Sequence, residues 1–156
     1  MAIAVVDFRE DEAAVAFARS LRETGFAVLT DHPVAASLVD DLYAAWANFF
    51  HSEQKHDYVF DEQTHSGFVG MARSETAKGA LVKDMKEFFH YYPERTALPE
   101  ELVEVTQAAF DAMNALAETL LSWVQQALPA EVADRLSMPL SDMIMDSPLT
   151  LLRILH

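Results

Sequence analysis

Cysteine is missing from all 156 residues. That excludes disulfides, thiolate nucleophiles, iron–sulfur clusters and thiolate zinc sites. It also suits a reducing compartment, so a cytoplasmic location is expected. Positive charge is scarce: 11 Lys and Arg stand against 25 Asp and Glu, a net charge of −14. Such a surface should repel nucleic acid and anionic membranes, so neither is expected as a partner. No apolar run approaches the ~20 residues of a membrane span. The opening stretch, MAIAVVDFREDE, has no basic segment and no long apolar run, so it does not read as a signal peptide. Glycine is rare too, and three of the four fall close together, at Gly67, Gly70 and Gly79.

What the chain does have is apolar residues, about half of the total, which argues for a packed core rather than disorder. The pattern opens strand–helix–strand. Ile3 to Val6 reads as a strand, and Asp11 to Thr24 as a helix with Val15, Ala18 and Leu21 as its apolar face and Phe17 beside them. Gly25 sits where a helix-ending glycine belongs, and Phe26 to Leu29 reads as a second strand. A second helix is expected from about Ala35 to Lys55, with Leu38, Leu42, Trp46 and Phe49 on one side. Asp61 to Val82 reads as a long loop, and long loops are often functional. Met85 to Tyr92 reads as a strand with Phe88 and His90 on one face and Phe89 and Tyr91 on the other.

The most regular element follows Pro99. Leu102, Thr106, Ala109, Met113, Leu116, Leu120 and Val124 mark one stripe of a long helix. Leu128-Pro129 ends it, and a short helix through Leu136 and a helical turn near Leu140 to Met145 come next. Met113, Met138, Met143 and Met145 read as core filler. The last stretch, Ser147 to His156, reads as a strand. Leu149, Leu151 and Leu155 lie on one face of it and Leu152 and Ile154 on the other, so cover on both faces and a neighbour on each side are expected. Buried arginine is rare unless paired, so Arg153 should have a carboxylate partner or face a core interior near a cosubstrate. These elements describe an α+β chain.

Several stretches, taken in order, resemble one family. Lys78-Gly79 followed by Asp84-Met-Lys-Glu-Phe-Phe-His-Tyr-Tyr-Pro93 is similar to a signature of the Fe(II)/2-oxoglutarate-dependent oxygenases related to isopenicillin N synthase. The ending, Ser147-Pro-Leu-Thr-Leu-Leu-Arg-Ile-Leu-His156, resembles that family's L-R-L-x-H/R strand. Val6-Asp7-Phe8, Gly25-Phe26-Ala27-Val28 and Asp31-His32-Pro33-Val34 resemble its opening. The resemblance implies the N-terminal helical and strand portion of a double-stranded β-helix (jelly-roll) oxygenase, incomplete as it stands. Residues 1–156 would form a single unit: an N-terminal region to about 100, a long helix from about 100 to 127, and a first core strand from about 148 to 156.

The whole enzyme would use Fe(II) and 2-oxoglutarate to hydroxylate or desaturate a small molecule. The family's H-x-D…H iron triad and its R-x-S element follow the strand that closes this sequence. The 156 residues alone are therefore expected to bind neither cofactor, to hold no catalytic or metal-ligating residue and to be inactive, with the missing jelly-roll portion as a partner.

The resemblance also implies that His65 and Val69, in the loop before Lys78-Gly79, face the substrate pocket. Histidine can donate, accept or carry charge near neutral pH, so His65 could orient a carboxylate, although a solvated loop histidine has the same look. Arg73 and Lys78 could attract an anion, with plain surface charge as the default. His51-Ser-Glu53 has the H-x-carboxylate form, with His90 as a distant third group. At a helix end, however, residues i and i+2 point apart, so polar residues on a solvated helix end are the better reading. Glu53 and His56 have the spacing used in di-iron bundles, but no second copy accompanies them. A different class stays open: a stand-alone acidic α+β module that docks a partner on its C-terminal strand edge.

Overall fold

The computed structural model describes residues 2–73 and 85–156. Lys78, Gly79 and Asp84 lie outside the described residues. The chain packs into two compact units, one of residues 1–36 and 111–147, the other of residues 37–110 and 148–156.

In the first unit, β1 (Val5–Asp7) pairs in parallel with β2 (Val28–Thr30), and α1 (Ala13–Thr24) lies between them in sequence. Both strands fall one or two residues later than the apolar pattern suggested. The buried side of α1 is Ala13, Phe17 and Ser20, while Val15 is well exposed. The physical reason is a polar clip. The Ser20 hydroxyl donates to the Phe26 carbonyl at 2.7 Å and accepts from the Ala4 amide at 3.1 Å, tying both strand entries to the helix. Gly25, at φ 79°, closes α1 through its amide to Leu21. Phe8 and Phe17 pack on Trp123 of α3 (Glu100–Gln126), with ring centroids 4.9 and 5.8 Å away. The expected stripe along α3 is fully buried only at Leu102, Thr106 and Ala109; from Met113 to Val124 it is half-buried. Met138, Met143 and Met145 are exposed rather than core filler. The short α4 (Ala130–Ala133) and a 3-10 turn at Ser141–Met143 complete this unit.

The second unit holds α2 (Ala36–His51), which stops four residues before Lys55 because the chain tightens into a 3-10 turn, Glu53–Asp57. Its sheet is antiparallel, in the order β3 (Gly67–Val69), β4 (Phe88–Tyr91), β5 (Leu152–Leu155). β3 falls inside the stretch expected to be a loop. It is three residues long and begins with glycine, too short for alternation to show. Gly67 has φ 107°, and a Cβ there would sit 2.8 Å from the carbonyl oxygens of Tyr58 and Val59. Gly67→Ala should therefore cost at least about 1 kcal/mol and loosen the pairing of β3 on β4. A denaturant midpoint unchanged by this substitution would contradict the placement of β3.

Residues directly opposite in an antiparallel pair share a face. Phe68, Phe89 and Ile154 stand in one row, with Tyr91 and Leu152 beside them. Phe89 meets Trp46 and Phe49 of α2 at 4.9 and 5.7 Å. Trp46 itself donates from its indole nitrogen to the Thr106 hydroxyl at 3.0 Å. This is the unit's core. The alternation expected along β4 is what the register shows. On β5, however, Leu155 is 60% exposed, and among the described residues only β4 neighbours the strand. The expected cover on both faces and neighbours on both sides are not met within these residues.

Candidate functional site

The second face of the same sheet carries Val69, Phe88, His90, Arg153 and Leu155. Exposure rises along it. Val69 and Phe88 are buried, His90 is half-buried, and Arg153 and Leu155 are exposed. A one-sided sheet normally places polar groups on such a face. Here the polar groups are one guanidinium and one imidazole, directly opposite each other.

Arg153 donates from Nε to His90 Nε2 at 2.9 Å, and its guanidinium carbon lies 5.1 Å from the Phe88 ring centre. The partner of Arg153 is thus an imidazole, not the carboxylate expected from the sequence. That bond fixes the tautomer: with Nε2 accepting, the neutral ring carries its proton on Nδ1. Nδ1 faces the His65 carbonyl at 3.4 Å, a long hydrogen bond.

His65 stands just before β3 with φ 56°, a left-handed conformation that aims its carbonyl across to β4. The residue is exposed, and its ring lies 6.3 Å from Phe60, which also meets His90 at 5.9 Å. The structure therefore brings His65 to the rim of this face and places Val69 on its buried end, opposite Phe88. Arg73 is committed elsewhere: it pairs with Glu62 at 3.0 Å and lies over Phe60.

Burial lowers the His90 pKa, and the Arg153 charge lowers it further. His90 should therefore titrate below the ordinary histidine value near 6.5. The sign of the stability effect follows. The folded chain keeps His90 neutral where the unfolded chain already binds a proton. The stabilisation is complete above pH ~6.5 and falls as pH drops toward the lower folded pKa. Arg153→Leu should raise the midpoint only part of the way, because burial is the larger cause. Proton NMR titration of the His90 ring checks this, and a midpoint at or above the ordinary value would contradict it.

A second polar cluster braces the end of the sheet. Glu87 and His156 exchange backbone hydrogen bonds at 3.1 and 2.9 Å, extending the β4–β5 ladder by one pair. The buried Glu87 carboxylate accepts from Lys55 Nζ through both oxygens at 3.0 Å, and His156 Nδ1 lies 3.2 Å from one of them. Lys55 also donates to the Phe50 carbonyl, and the His156 ring stacks on Phe50 at 5.0 Å. Sequence reasoning did not anticipate this cluster. The clue available was a lone glutamate beside an aromatic strand.

His51 bonds to the Ala47 carbonyl of its own helix, and Glu53 meets His56 only at 3.9 Å on the surface. Among the described residues no three His, Asp or Glu side chains come together to hold a metal ion. An iron facial triad does not fit these side chains, so no chemical step at iron is assigned to them.

The profile of the family described as non-haem dioxygenase in morphine synthesis, N-terminal, matches residues 3–114. The chain belongs to that family. A candidate oxygenase from Shewanella oneidensis is 39% identical, with a TM-score of 0.87 over 99% of this chain and 54% of its own. A candidate 2OG-Fe(II) oxygenase family protein from Caulobacter crescentus matches at 24% identity and TM-score 0.66, covering 80% of this chain and 48% of its own. A full-length protein from Neurospora crassa, solved in complex with alpha-KG and thymine, matches at 18% identity and TM-score 0.63 over 78% of this chain and 47% of its own. The last two show the fold alone. The dioxygenase N-terminal chain spans about half the length of these solved structures. No curated protein matches it significantly. Among the described residues no helix is long and apolar enough to cross a membrane.

Proposed function

We propose that residues 1–156 act as one N-terminal portion of an Fe(II)/2-oxoglutarate-dependent oxygenase that hydroxylates or desaturates a small molecule in the cytoplasm. The observation that carries this reading is the family match over residues 3–114, joined to a 39% identical oxygenase that aligns over nearly the whole chain. The iron ligands and the 2-oxoglutarate arginine belong to sequence after His156, so the 156 residues alone give no turnover. The contribution of this chain is a wall of the substrate pocket. The face of β3, β4 and β5 that bears Val69, His90 and Arg153, with His65 at its rim, is that wall. The edge of β5, open among the described residues, is where further core strands would add.

The same open edge favours one other reading, a stand-alone module that takes a partner strand there. The coding sequence beyond His156 and the intact mass of the natural protein separate the two. An H-x-D, a later histidine and an R-x-S element are expected. A mass near 17.5 kDa would favour the module.

A further inference from the structure

Carboxylates outnumber cations in this chain, 25 Asp and Glu against 11 Lys and Arg. Arg9 sits between Asp7 and Asp31, Arg73 meets Glu62, and Lys55 meets Glu87. Among the described residues no carboxylate pairs with Arg153. Its guanidinium is nevertheless held at two points, by the 2.9 Å bond to His90 and by the Phe88 ring. Phe88 is buried, and His90 is itself bonded to His65, so both supports are anchored. These contacts use one of five N–H donors and one face of the plane. Among the described residues nothing bonds the Nη fork, which lies on an exposed surface beside the Phe88 ring, while the Phe60 ring packs on His90.

A planar fork held in place matches a carboxylate with two parallel hydrogen bonds, and arginine is suited to that geometry where lysine is not. The apolar rings beside it suit an apolar body attached to the carboxylate. We propose that Arg153 is an anion-recognition residue, taking the carboxylate of a small organic acid through its Nη fork, with His90 as its positioning residue. This rests on reading the β3–β4–β5 face as a substrate wall. The carboxylate has two sources, the organic substrate or 2-oxoglutarate, and the substrate is the one expected.

The test is binding, read by calorimetry on the natural full-length protein, with benzoate, benzamide and 2-oxoglutarate as separate probes. The wild type should bind benzoate at least about tenfold more tightly than benzamide, and R153Q should lose about tenfold or more of the benzoate affinity. R153K should recover only part, and 2-oxoglutarate affinity should stay unchanged in R153Q. Loss of 2-oxoglutarate affinity instead assigns the same carboxylate recognition to the cosubstrate. Equal binding of every probe before and after R153Q, or no binding of either acid through Arg153, overturns the proposal. Because Arg153 is exposed, R153Q should melt with the wild type, which excludes misfolding as the cause. Binding is read without turnover. A protein that binds benzoate through Arg153 but converts no 2-oxoglutarate keeps this inference and loses the oxygenase reading. An active oxygenase indifferent to R153Q does the reverse.

Discussion

Trp46→Ala should remove about 3–5 kcal/mol of stability, enough to leave a domain of ordinary stability only marginally folded. Trp46 is 1% exposed and packs against Phe49, Phe50 and Phe89, with ring centroids 5.3, 5.9 and 4.9 Å away. Truncation opens a cavity where α2 meets β4, and the surrounding rings relax only in part. It also strips the fully buried Thr106 hydroxyl of its indole partner. Trp46→Phe separates the two effects. It keeps most of the apolar bulk and should cost about 1–3 kcal/mol, mainly for the lost hydrogen bond. Urea denaturation of the full-length protein measures both. The site depends on this packing, because Phe89 is the inward neighbour of Phe88 and His90 on β4.

Glu87→Ala should cost about 3 kcal/mol, for an electrostatic reason. The Lys55 side chain is only 17% exposed and finds three acceptors, two of them on Glu87. Removing the carboxylate leaves a mostly buried ammonium with one carbonyl. It also removes the carboxylate that His156 Nδ1 meets, leaving only the backbone pair and the Phe50 stack to hold the end of β5, the strand that carries Arg153. The double change Lys55→Met with Glu87→Leu should lie much closer to wild type, because replacing both charges removes the unpaired one. If Glu87→Ala alone proves neutral, the carboxylate is solvated and the cluster does not brace the strand.

Where the sequence could be read, one residue type repeated at one period. The α2 face at Leu42, Trp46 and Phe49 and the alternation of Phe88 to Tyr91 were legible because burial there follows a simple geometric rule. The burial of α1 was not, because Ser20, a polar residue, outcompetes Val15 by bonding two strand entries. β3 was hidden by its length and its glycine. His65 and Val69 were named through a family resemblance, and the structure puts His65 in the turn before β3 and Val69 at the far end of that strand. Arg153 was legible as an oddity among leucines, but its partner was not. An imidazole 63 positions away in sequence becomes its neighbour only through the antiparallel register of β4 and β5.

The most direct measurement is the conversion of 2-oxoglutarate to succinate, with and without Fe(II), by the natural full-length protein and by the chain ending at His156. Iron-dependent succinate formation by the full-length protein, and none by the 156 residues, is the expected result. Succinate from the shorter chain, or none from either, would contradict the assignment of this chain as the N-terminal portion of such an oxygenase.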